Sequence, residues 1–232
     1  MSKITSVEPQ KKNARRFNIF LDGKFAFGAD EDLVVERRLV VGKEILPEDL
    51  EKIIYEAEVG KLMERMYGLF NIRDRSEKEI RDYLRRVSFK RKIKGGEEIG
   101  ELAIEQLINK LKQKDLLDDE KFAKAWVESR SKKYGINRIK QELFQKGIDK
   151  EIIEEVTRVK NLESSEETAE KQLIRKIKNW KNLKPMEFRR KASEFLLRRG
   201  FEYSLIKIVV EKIIKKEYNS LRSSEEPEEN YG

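Results

Sequence analysis

Cysteine and histidine are both absent from these 232 residues. Their absence excludes disulfides, thiol nucleophiles, Cys/His zinc sites and histidine acid–base chemistry together. No apolar run approaches the length of a membrane span. Met1 to Gln10 carries no apolar signal-peptide segment. The chain is therefore expected to be cytoplasmic, with no membrane partner. A phosphate-binding loop is missing too: Val41-Gly42-Lys43-Glu44 lacks the first glycine, and Glu44 stands where a hydroxyl residue is required. Asp118-Asp119 pairs two carboxylates, but no third ligand accompanies them. Helix capping and the favourable helix N-terminal dipole account for them better. No cofactor, metal or catalytic site is expected, and the chain is read as a non-enzyme.

What is abundant is charge. Charged residues make up 41% and apolar residues 38%, so a core is affordable but most surfaces are wet. The formal net charge is +8. Its distribution says more than its size. Arg73 to Lys94 holds ten bases and four acids, Arg130 to Lys146 six and one, and Lys184 to Arg199 six and two. Between them Glu97 to Lys121 holds eight acids and four bases, and Asp149 to Glu170 eight and three.

The alternation keeps step with a repeat. At a shift of 53 residues, Leu143 recurs as Leu196, Lys146 as Arg199, Gly147 as Gly200 and Ile148 as Phe201. Asp149 recurs as Glu202, Ile152 as Leu205, Ile153 as Ile206 and Val156 as Val209. Three-helix units stacked in tandem explain this pattern. The fold class expected is mainly α: tandem three-helix repeats in an elongated curved array, after a small N-terminal region containing a β-hairpin. The divisions expected are 1–46 for that region, 47–115, 116–160 and 161–217 for the repeats, and 218–232 for a disordered acidic tail.

Local signals place the elements. Residues 1–15 read as loose. Asp22-Gly23 between Phe17–Leu21 and Lys24–Phe27 predicts a hairpin, because both turn positions want positive φ. A short helix is expected from Asp30 to Leu39, then a strand or extended link over Val40–Leu46. Pro47 starts a helix that runs to Phe70, with Leu50, Ile53, Ile54, Ala57, Leu62, Met66 and Leu69 inward. Ser76 and Glu79 form a capping box for the next helix. The basic segment Arg85–Lys94 reads as its exit towards Gly95-Gly96, and a helix follows over about Glu98–Lys114. The second repeat starts at Asp118-Asp119. Gly147 ends its middle helix as a left-handed cap with Ile148 folding back on Leu143, and Asp149 caps the next. The third repeat spans helices at Glu166–Trp180, Pro185–Arg199 and Glu202–Lys216. Trp126, Trp180, Phe122 and Phe144 fall among apolar neighbours and are assigned to cores. Tyr134 has two readings, a base-stacking ring or a lid on the core.

Three stretches resemble the RecX family of RecA regulators: Ile72–Ile80, Leu116–Arg130 and Gly135–Ile148. The likeness covers roughly residues 57–215, and the middle repeat is its most specific part. Asp115 departs from the glycine usual before Leu116-Leu117-Asp118-Asp119. The resemblance implies a non-enzymatic protein of three tandem three-helix repeats. It implies binding in the helical groove of the RecA–DNA filament, with strand exchange, ATP hydrolysis and co-protease activity restrained as part of DNA repair and the SOS response. Direct DNA binding is implied as well.

The charge runs supply candidate contacts to filament or DNA: Arg85, Arg86, Lys90, Arg91, Lys92 and Lys94; Lys132, Lys133, Arg138, Lys140 and Lys146; Arg189, Arg190, Lys191, Arg198 and Arg199. Such cations meet phosphates without reading sequence. Arg85–Lys94 leads because it contains no acid. The expected partners are RecA and single- or double-stranded DNA, bound by a monomer. A competing reading is a helix-turn-helix DNA or RNA regulator with its motif at Ile136–Val156. A third is a metal-dependent nuclease, which would need clustered carboxylates.

Overall fold

The computed structural model describes residues 1–11, 13–158, 162–178, 180 and 183–222, with backbone alone at 162–164 and 217–222. It divides into two compact units, residues 1–118 and 119–232.

The first unit opens on a four-stranded antiparallel sheet. Strands β1 (Ser2–Gln10), β2 (Asn13–Leu21), β3 (Lys24–Asp30) and the two-residue β4 (Glu44–Ile45) are ordered β3-β2-β1-β4. The hairpin turn is the one anticipated, with Asp22 at φ 49° and Gly23 at φ 80°. β1 corrects the reading of residues 1–15 as loose. It pairs with β2 on one side and with β4 on the other, Ser2 against Ile45. Only Ile4 of this strand is fully buried, so its apolar alternation is too sparse to mark it.

Helix α1 (Glu31–Glu36) is capped by Asp30, whose carboxylate accepts the Leu33 N–H at 2.9 Å. Helix α2 (Pro47–Phe70) serves two cores. Its first half gives Ile53 and Ala57 to the sheet, beside Ile4, Ile19, Phe27 and Leu39. Its second half gives Val59, Leu62, Met63 and Met66 to the first repeat. Ile54, expected inward, is 43% exposed, because the two buried faces leave it between them. Helices α3 (Glu77–Ile93) and α4 (Glu101–Gln113) complete that core through Ile80, Leu84, Leu107 and Leu111.

The capping box of α3 is present. Glu79 N–H donates to Ser76 Oγ at 3.3 Å, and Ser76 N–H donates to Glu79 Oε2 at 3.4 Å. Arg73 clamps the same carboxylate through two bonds of 2.9 Å. Ser76→Ala removes one side of the box, and the expected loss in a urea titration is about 1 kcal/mol. An unchanged midpoint would show that Arg73 alone holds the helix start.

The second unit contains two three-helix repeats. Helices α5 (Asp119–Arg130), α6 (Ile136–Gln145) and α7 (Lys150–Arg158) enclose Phe122, Val127, Ile139, Leu143 and Ile153. Helices α8 (Leu162–Ile177), α9 (Pro185–Arg198) and α10 (Tyr203–Arg222) enclose Leu173, Leu196, Phe201, Ile206 and Val209. The repeated cap recurs in space: Gly147 and Gly200 lie at φ 77° and 80°. Ile148 N–H donates to Leu143 O at 3.1 Å, and Phe201 N–H to Leu196 O at 3.3 Å. Phe144 was assigned to the core but is 70% exposed; it follows the buried Leu143 and so turns about a quarter-turn away. Trp126 and Trp180 only flank their cores. Helix α10 runs through Arg222, so the expected tail loses residues 218–222 to helix, and 223–232 lie outside the described residues.

Candidate nucleic-acid interface

The basic segment 85–94 is not a helix exit but the last turns of α3 with its C-cap, Lys94. The inward line of this helix is Ser76, Ile80, Leu84 and Ser88, all buried. Ser88 Oγ accepts the Ile99 N–H at 3.0 Å and fixes the roll of the last turns. Residues one turn apart share a face. Arg85, Arg86, Phe89, Lys90 and Ile93 therefore all face solvent, and all five are exposed.

The six cations named here differ in their freedom. Arg85 makes an exposed ion pair with Asp82 at 3.3 Å, which contributes little and is easily exchanged. Arg86 donates to the Asp82 carbonyl at 3.2 Å. Lys90 and Lys94 are exposed, with no ion pair among the described residues. Lys92 is exposed but pairs with Glu98, which pushes its pKa up, first through the hydrogen bond. Arg91 points the other way. Its Nη1 donates to Glu58 Oε1 of α2 at 2.6 Å, with the side chain 23% exposed. It ties α3 to α2.

In the second unit several predicted cations build the junction of the two repeats. Glu142 accepts from Arg130 at 2.5 and 2.7 Å, from Arg138 at 3.1 Å and from the Trp126 indole N–H at 3.1 Å. Tyr134 sits under three guanidinium groups, those of Arg138 at 4.2 Å, Arg130 at 4.4 Å and Arg199 at 5.6 Å from the ring centre. It flanks the core as a cation-covered ring and is not open to a base. Arg138 and Arg199 also cross the junction, donating to the Arg198 and Lys133 carbonyls. Lys146 lies over Trp126 at 4.4 Å, and Lys140 pairs with Glu154 at 2.6 Å. Lys132 and Lys133 remain exposed.

The third repeat keeps its cations at the surface, each close to an acid. Arg189 meets Glu211 at 2.8 Å, and Lys191 meets Glu187 at 3.1 Å. Arg190 and Arg198 approach Glu194 at 3.9 and 4.0 Å.

Sequence reasoning passed over Arg130 and Glu142. The signal was present: Glu142 is the lone acid of a run with six bases, four residues after Arg138. Burial acts to raise its pKa, but hydrogen bonds from Arg130 and Arg138 outweigh this and hold the carboxyl below its ordinary range. A depressed carboxylate stabilises the fold above its unfolded pKa, and the contribution fades as pH falls through the folded value. Glu142→Gln is expected to cost roughly 1–3 kcal/mol at neutral pH. The gap to wild type should narrow below about pH 4. Urea midpoints across pH test this; a gap independent of pH would remove the charge from the account.

Among the described residues there is no group of three or more acidic side chains able to hold a metal, and no helix long and apolar enough to cross a membrane.

The N-terminal domain of regulatory protein RecX matches residues 2–46. The second RecX three-helix domain matches 118–156, and the third matches 164–210. The chain belongs to the RecX family. The regulatory protein RecX of Bacillus subtilis is 34% identical over 215 residues, covering 92% of this chain and 78% of that protein. Its counterpart in Listeria monocytogenes is 35% identical over 208 residues, covering 88% and 73%. A crystal structure of regulatory protein RecX superposes with a TM-score of 0.70 at 26% identity, over 90% of this chain and 98% of that one. RecX from Lactobacillus salivarius shares the fold, with a TM-score of 0.56 at 24% identity over 66% and 95%. The first-repeat stretch Ile72–Ile80, on which the likeness also rested, builds the capped start of the basic helix.

Proposed function

We propose that this chain binds the RecA–DNA filament, lies in its helical groove and restrains RecA. The observation that carries the reading is family membership across nine-tenths of the chain, with relatives named as regulatory proteins. The chemistry is compatible. A filament groove presents DNA backbone beside protein, and the outer face of α3 offers Arg85, Arg86, Lys90 and Lys94 to phosphates. Lys132, Lys133 and the α9 cations extend the set of candidates. Phosphate contacts of this kind release counterions and are indifferent to sequence. Occupancy of the groove would hinder the subunit motions that accompany ATP turnover.

The test is ATP hydrolysis by RecA on single-stranded DNA, titrated with this protein at physiological salt. The expected result is inhibition well below one molecule per RecA. Unchanged hydrolysis with RecA saturated would remove the filament reading and leave a DNA-binding helical protein.

A further inference from the structure

The outer face of α3 contains one residue that neither its charge nor its core explains. Phe89 is 64% exposed. It stands outside the first-repeat core, whose α3 contribution is carried by Ile80 and Leu84. Among the described residues its ring meets no other ring and no cation. On a helix its surface neighbours are the residues three and four away. Here these are Arg85, Arg86, Lys92 and Ile93, and Lys90 is adjacent in sequence. The ring is thus open to solvent and surrounded by cations, with Ile93, 69% exposed, one turn on.

The occupant must satisfy both properties at once. Segment 85–94 has no acid, and among the described residues the flanking Asp82 and Glu98 pair only with Arg85 and Lys92, so the surface stays net positive and selects an anion. An exposed ring selects a flat apolar partner. Single-stranded nucleic acid offers phosphates on its backbone and unpaired bases with free faces. Duplex DNA offers the same phosphates but keeps its bases stacked on one another. Proteins that bind single strands without sequence preference combine a positive surface with aromatic side chains on which bases stack.

We propose that Phe89 is a stacking platform for an unpaired base, and that it gives the outer face of α3 a preference for single-stranded over duplex DNA. This rests on the reading of that face as a DNA contact. The cations hold the backbone on either strand form, and the ring adds a contact that only the single strand can make.

The test uses the full chain with fluorescent oligo(dT) and a duplex of equal length, titrated over a range of salt. Phe89→Ala should weaken oligo(dT) binding roughly 5-fold or more. Duplex binding should change by less than about twofold, with both salt slopes unchanged. Phe89→Trp should restore the single-strand preference, and Phe89→Leu, which keeps bulk but not the ring face, should not. Because the ring is exposed, thermal unfolding of all three variants should match the parent. Equal losses on both DNAs, or recovery by leucine, would overturn the stacking role. So would loss of RecA inhibition with DNA binding intact, which would make Phe89 a protein contact. Arg86→Ala with Lys90→Ala separates the two levels. If this pair lowers both affinities and both slopes while Phe89→Ala does nothing, the basic face stands and the platform fails. If neither changes DNA binding, the reading of the face itself fails.

Discussion

Gly135→Ala is expected to pull the second and third repeats apart. A Cβ at residue 135 would lie 2.3 Å from Gly200 O, 2.4 Å from Gly200 C and 2.4 Å from Phe201 N. All three are backbone atoms, so no side chain can rotate away. The reverse change is as severe. A Cβ at Gly200 would lie 2.4 Å from both the backbone N and the Cβ of Arg138, and φ there is +80°. Overpacking of this kind costs roughly 1–3 kcal/mol, and a positive φ adds about 1 kcal/mol for alanine at Gly200. Gly95 provides the control: its φ is +76°, but a Cβ there meets nothing within 4 Å. Gly95→Ala should therefore cost only the backbone strain, about 1 kcal/mol. Urea unfolding followed by helicity would separate the three. Since both junction glycines serve one contact, the double variant should lose less than the sum of the singles. A Gly135→Ala protein as stable as the parent would show that the junction yields without loss.

The second large effect concerns the cations of α3. Replacing Arg85, Arg86 and Lys90 together by alanine should reduce affinity for single-stranded DNA on the order of 50-fold near physiological salt, and flatten the salt slope by about 2. Stability should stay within about 0.5 kcal/mol of the parent, because all three side chains are exposed. Arg91→Ala is expected to do the opposite. It leaves Glu58 without its partner between α2 and α3, so the fold weakens while the salt slope holds. Equal slopes in triple variant and parent would exclude this face as a phosphate contact.

These contrasts show where the sequence was legible. Signals that act over a few residues were read well: Pro47 opening α2, Asp22-Gly23 turning the hairpin, Ser76 and Glu79 capping α3, Gly147 and Gly200 closing their helices. Each depends on a local backbone requirement that few residue types meet. What depends on distant partners was not. β1 is defined by Leu21 and Ile45 across the sheet, while its own residues are mostly polar. The last turns of α3 leave little trace in the sequence because their inward residue is Ser88, whose hydroxyl accepts a backbone N–H and leaves no apolar mark. Charge is visible along a sequence, but direction is not. Lys90 and Arg91 are neighbours, yet one is exposed and the other reaches Glu58 on α2, and Arg138 and Arg199 hold two repeats together.

The glycine contact also redirects a helix dipole. The carbonyls at the end of α9 and the N–H groups at the start of α6 meet: Gly135 N–H donates to Arg199 O at 2.9 Å and Asn137 N–H to Gly200 O at 3.2 Å. The negative end of one helix is thereby set against the positive end of another. A helix start beside Lys132 and Lys133 has the makings of a phosphate seat, but here the Gly135 and Asn137 amides already donate to protein carbonyls. An anion meeting this helix start would find those two amides occupied and would rely on the side chains of Lys132 and Lys133, both exposed. Lysine contacts of that kind to a phosphate backbone would be indifferent to its base sequence.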